Sequence, residues 1–233
     1  MLFERLDGWL WLLLSLGPLL FLQRALHYEI QADLLLITRR TDVTAALFST
    51  LFFPGILLHE LSHFLTAKLL FVKTGKISLL PKVTKEGRIQ LGFVETSISD
   101  PIRDTLIGVA PLITGGAFVA YAGLQQMGFK SLGYSAMDAG PVGMFNLLPG
   151  LTSRPDFWIW FYLTFTVSST MLPSSSDRKS WLTIGIWLGM LLLISLLFGV
   201  GPWLLNNVTP VINRIMTSIA VVFLISDVVH FSL

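Results

Sequence analysis

The sequence predicts an all-α polytopic membrane protein, with about six transmembrane helices and a small β-hairpin between helices 2 and 3. Three observations carry this reading. Charged residues make up 13% of the chain, against about 25% in soluble domains, so polar groups are too scarce to cover a soluble fold. Hydrophobic residues make up 53%, with mean hydropathy +0.72, and they gather in long stretches. Residues 73–100 are basic and shift to the two-residue period of a strand. The chain, 1–233, reads as one transmembrane domain.

The first span is expected at about 6–26. Trp9 and Trp11 can anchor at the interface, and Gly17-Pro18 bends the helix. Arg5 before an apolar run suggests a signal peptide. Glu4 and Asp7 beside it, and the poor cleavage site Gln23-Arg24-Ala25-Leu26-His27, favour an uncleaved span. A polar connection is expected from His27 to Asp42, with His27 at the interface. The second span, about 43–71, starts at a Thr41 or Asp42 cap and exceeds the ~20 residues needed to cross. Pro54-Gly55 should kink or interrupt it one turn before His59. A broken helix at membrane depth is tolerated where protein or a wet cavity satisfies its backbone.

Within 73–100, the runs Lys76–Leu80 and Arg88–Val94 flank Thr84-Lys85-Glu86-Gly87. Ile89, Leu91 and Phe93 alternate with polar or small residues, which predicts a hairpin. Its edge could hold an extended peptide by strand addition, or the hairpin could rest on the lipid surface. The third span, about 102–124, is dense in Gly and Ala, suited to close packing on the histidine-bearing helix, with a bend at Pro111. A Gly/Ser/Pro loop fills 125–155. The remaining spans are expected at about 156–173, 181–205 and 211–231, the last two joined by Asn206-Asn207-Val208-Thr209-Pro210.

Six spans place both termini on one side with the hairpin. That side holds nine Lys and Arg residues against five opposite, so it is expected to be cytoplasmic. A net charge of +2 gives no footprint for nucleic acid. No cysteine is present, so disulfides and thiolate ligands are excluded.

The chemistry concentrates in His59-Glu60-Leu61-Ser62-His63, inside an apolar run. On a helix, residues 59 and 63 fall about 40° apart and roughly 6 Å along the axis. Both imidazoles can then meet one metal ion, with Glu60 placed as general base toward a water. Zinc suits this donor set, being redox-inert and able to lower the pKa of water. Charged and imidazole groups in an apolar helix are costly, so they mark a functional site. The plainer reading is a buried hydrogen-bond cluster without metal. The other histidines are His27 and His230, so a carboxylate is the expected third ligand. Asp177 follows the fourth span on the hairpin side and is the first choice. Asp227 and His230 are the alternatives.

These residues resemble the site-2 protease family of intramembrane zinc metalloproteases, in a short form without a PDZ domain. The resemblance lies in His59-Glu60-Leu61-Ser62-His63, the basic hairpin after it, and Thr170-Met171-Leu172-Pro173-Ser174-Ser175-Ser176-Asp177, and it covers about 43–180. It implies zinc on His59, His63 and Asp177, with Glu60 as the base. It implies hydrolysis of transmembrane or membrane-associated protein substrates in a lipid bilayer. The expected location is a bacterial inner membrane. Thr170 replaces the family's asparagine and Arg178 its usual glycine, so Ser169 or Thr170 would have to substitute in holding substrate. A second partial match is Asn146-Leu147-Leu148-Pro149 with Asp156, on the opposite side. The alternative is a proteolytically inactive membrane scaffold that keeps the metal site.

Overall fold

The computed structural model describes residues 7–83, 89–97, 99–130, 150 and 152–233. The chain is mostly helical. Helix α1 spans Asp7–Thr38, α2 Thr41–Leu51 and α3 Phe53–Leu69. Short strands follow: β1 Thr74–Ser78, β2 Lys82–Val83, β3 Ile89–Gln90 and β4 Phe93–Thr96. Helix α4 is Pro101–Tyr121 and continues through a π-turn, Ala122–Gln126. Helices α5, Phe157–Thr170, α6, Trp181–Leu197, and α7, Thr209–Phe231, complete the order.

The first span is longer than expected. Residues 27–38 are not a connection but the second half of α1. Leu26, Ile30 and Leu34 recur every fourth residue and pack against the buried cluster of Phe48, Phe52 and Ile56. His27 is therefore not an interfacial side chain. Its ring stands edge-on to Phe48 and Phe52, with centroids 5.4 and 4.9 Å away.

The second span breaks as the proline required, though at Phe52. Helices α2 and α3 meet at 77°. Pro54 lies in the first turn of α3, where its missing N–H costs nothing. Neither Thr41 nor Asp42 caps α2; Arg40 holds that position without a side-chain bond and pairs instead with Asp42 at 2.6 Å.

Among the described residues, three helical stretches are long and apolar enough to cross a membrane: Asp7–Thr38, Pro101–Gln126 and Gly201–Phe231. The bent α2–α3 pair makes a fourth if it is one span. The expected six are not reached, because α5 has 14 residues and α6 has 17. Gly199, with φ of 74°, ends the chain's run beyond α6. The chain then turns helical again at Gly201, so the expected Asn206–Pro210 connection is a π-turn leading into α7.

The hairpin is present with altered bounds. β1 pairs antiparallel with β4, with Ile77 opposite Val94 and Ser78 opposite Phe93. β2 pairs with β3. The expected strand through Leu91 and Gly92 is interrupted there, where the backbone comes against Glu60. The hairpin tip, 84–88, and most of the 125–155 loop lie outside the described residues.

Directions are fixed by side-chain contacts. Gly8 donates its N–H to Asn213 Oδ1 at 2.9 Å, and Leu19 shares a cluster with Phe223. Helices α1 and α7 thus run side by side and parallel. Gly116 lies against Val222 and Gly123 against Ile225, so α4 runs the same way. Helix α5 runs against α4: Trp160 packs edge-on to Tyr121 while Met171 lies on Gly115. The start of α1 and the end of α7 therefore fall on opposite faces of any bilayer that both cross. This departs from the expectation of both termini on one face.

Candidate metal centre

Helix α3 carries His59, Glu60 and His63 into the angle between α4 and α5. Two glycines allow the approach. A Cβ at Gly55 would collide with the Thr166 carbonyl, and one at Gly108 with the Asp177 carbonyl. Close backbone contact of this kind brings the loop after α5 down onto the α3 histidines.

The structure brings His59, His63 and Asp177 together, with one donor atom from each within 4.8 Å of the others. His63 Nε2 lies 3.3 Å from Asp177 Oδ1, His59 Nε2 lies 3.8 Å from Oδ2, and the two Nε2 atoms are 3.1 Å apart. Ligands on a tetrahedral zinc, at bond lengths of about 2.0–2.1 Å, stand roughly 3.3 Å from one another. The two imidazole nitrogens come close to that value, and the carboxylate offers Oδ1 to His63 and Oδ2 to His59.

The two imidazoles share one tautomer. His59 Nδ1–H donates to the Thr170 carbonyl at 2.6 Å, and His63 Nδ1–H to the Ile107 carbonyl at 2.8 Å. A carbonyl only accepts, so both protons sit on Nδ1. Both Nε2 lone pairs then face each other, with a carboxylate beside them. Three acceptors converge without a donor, and a cation satisfies all three. The donor set of two nitrogens and one oxygen fits zinc.

Each carbonyl is free for a local reason. Ile107 lies four residues before Pro111, which has no N–H to return to it. Thr170 is the last residue of α5, where helical carbonyls lack partners. Asp177 is steadied by the Ser174 N–H, which donates to Oδ2 at 2.7 Å. Arg178 turns away from it and donates from Nε to the Ser174 carbonyl.

Glu60 is 7% exposed and lines the same cavity, of about 720 Å³, as His59, His63 and Asp177. Gly92 passes directly over it; a Cβ there would sit 2.8 Å from Glu60 Oε1. Leu91, Phe93, Val94 and Thr96 of the hairpin line the cavity's other wall.

The alternative third ligands lie elsewhere. His230 is bonded to Ser169 and Ser226 on the far side of α5. Asp227 on α7 is not among the converging groups. Asp156 accepts a bond from Trp160 Nε1 at 3.1 Å, and its partner Asn146 lies outside the described residues. Thr170 Oγ1 donates back to the Thr166 carbonyl at 3.0 Å, so its hydroxyl does not stand in for an amide, although its carbonyl serves the site. Ser169 Oγ is likewise engaged, with His230. Sequence reasoning missed Ile107 and the approach of Gly92 to Glu60, and it read Gly108 as helix packing where the group it meets is the Asp177 carbonyl. For Ile107 the spacing to Pro111 offered a signal. No family model, curated protein or solved structure matches the chain.

Proposed function

We propose that the chain is a zinc metalloprotease of transmembrane or membrane-associated protein substrates, working in the bilayer with its site toward the hairpin face. The observation that carries this is the arrival of Asp177 at two imidazoles whose free lone pairs already converge. His59, His63 and Asp177 would hold the ion. Zinc, when bound, supplies Lewis acidity to a carbonyl oxygen and to water.

The chain's own residues do the rest. Glu60, beside the ligands in the same cavity, takes the proton of the attacking water and passes it to the leaving amine. Thr170 and Ile107 hold the imidazoles in the ligating tautomer. The hairpin wall offers backbone edges to an extended substrate strand. Extension matters because a helical peptide bond is shielded by its own hydrogen bonds.

The hairpin face is the cytoplasmic one in this reading, and the membrane a bacterial inner membrane. Arg214, in α7's second turn, joins that face once α7 runs parallel to α1, which strengthens the positive bias.

The test is Glu60→Gln in purified protein with a transmembrane reporter. Cleavage is expected to fall by about 10²–10⁴-fold, with zinc content near wild type. Unchanged cleavage removes Glu60 from the mechanism. A second reading, a binder that does not cut, draws on the engaged hydroxyls of Ser169 and Thr170. Wild-type protein that holds zinc and leaves every reporter intact selects it.

A further inference from the structure

We infer that His230, acting through Ser169, is a positioning residue for the metal centre. This rests on the metal-centre reading above, and it concerns a side chain on α7 that touches no ligand.

His230 is 1% exposed. Its Nδ1–H donates to the Ser226 carbonyl at 2.8 Å, which leaves Nε2 as an acceptor. Ser169 Oγ–H donates to that Nε2 at 2.9 Å. The Phe165 ring, 5.2 Å away, packs the imidazole in place.

Ser169 behaves unlike its neighbours. Thr166, Ser168 and Thr170 all return their hydroxyls to carbonyls of their own helix. That is the usual habit of a helical hydroxyl. Within 166–170, only the Ser169 hydroxyl reaches another helix. The Ser169 carbonyl is held as well, by Gln23 Nε2–H from α1. Both polar groups of Ser169 are thus tied to the flanking parallel pair, α1 and α7.

The next carbonyl along is Thr170, the acceptor for His59 Nδ1–H. Seven residues after Thr170 comes Asp177. The last turn of a helix frays when its carbonyls lack partners. Here Gln23 and His59 take two successive ones, and His230 clamps the hydroxyl between them. A small shift of this turn moves the His59 orienting group and the Asp177 tether together. Partners behind the ligands commonly set metal affinity by 10- to 100-fold.

A purely structural role would give His230 a buried partner and nothing more. Cobalt(II) separates the two. Ser169→Ala and His230→Leu are each expected to weaken cobalt binding about tenfold in chelator competition, with altered d–d band intensities. The double variant is expected to bind no worse than either single one, because both remove the same bond. His230→Gln, whose amide oxygen replaces Nε2 as acceptor, is expected to restore affinity and spectrum. Thermal unfolding of the metal-free proteins reports the fold. Where Ser169→Ala does not fold, His230→Leu and His230→Gln carry the test from the other helix, with the same expected loss and rescue. A folded His230→Leu protein with wild-type cobalt affinity and spectrum overturns the inference alone. Wild-type protein that takes up no cobalt overturns it together with the metal-centre reading.

Discussion

At Ile107 a helix gives up one of its own hydrogen bonds to the site. Pro111 cannot return an N–H, so the carbonyl is open to His63 Nδ1–H. Pro111→Ala restores a competing donor and removes a mid-helix proline, which normally costs about 3 kcal/mol. The expected result is unusual: unfolding temperature equal to or above wild type, with zinc affinity about tenfold weaker. Unchanged affinity would show that His63 needs no help from that carbonyl. The converging side chains of His59, His63 and Asp177 were legible because imidazole and carboxylate groups carry their chemistry in their names. Their carbonyl partners were not, since any residue supplies a carbonyl. Glycines 55, 92 and 108 were visible as glycines, but what each one approaches depends on another segment of the chain.

Among the elements, α4 starts most firmly. Asp100 accepts from the Ile102 and Arg103 N–H groups at 3.1 and 3.0 Å. The Arg103 N–H, first among these influences, holds the Asp100 carboxyl below its ordinary range. A carboxyl lowered on folding stabilises above its unfolded pKa, and that contribution disappears as pH falls through its folded pKa. Asp100→Asn is therefore expected to lower the unfolding temperature at neutral pH, with the gap to wild type narrowing under acid. A gap that is constant with pH would deny the carboxylate its part. The break before α3 was legible from Pro54-Gly55, since proline suits a first turn and little else in a helix. The second half of α1 was not. Glu29 and Asp33 mask a stripe of Leu26, Ile30 and Leu34 that becomes apparent only against Phe48 and Phe52. The hairpin showed in its alternation, and its interruption at Gly92 followed from Glu60 beneath it.

For the whole molecule, hydropathy announced a membrane protein but overcounted its spans, six expected against three or four among the described residues, and it carries no information on direction. Direction came from contacts such as Gly8 with Asn213. One consequence falls on α6, which is apolar throughout and has no buried residue. Ser180, just before it, bonds to Asp104 at the start of α4, while α7 begins beside the start of α1. Since α4 and α1 set out from the same level, a 25 Å rod, about the length of 17 helical residues, returns the chain to the surface it left. The polypeptide lacks cysteine, so a thiol placed at Lys179 or at Arg214 is its sole target for a membrane-impermeant maleimide. Both sites are expected to react from the same compartment, and a thiol at Ser232 from the other. Labelling of Lys179→Cys and Arg214→Cys from opposite compartments would make α6 a crossing after all.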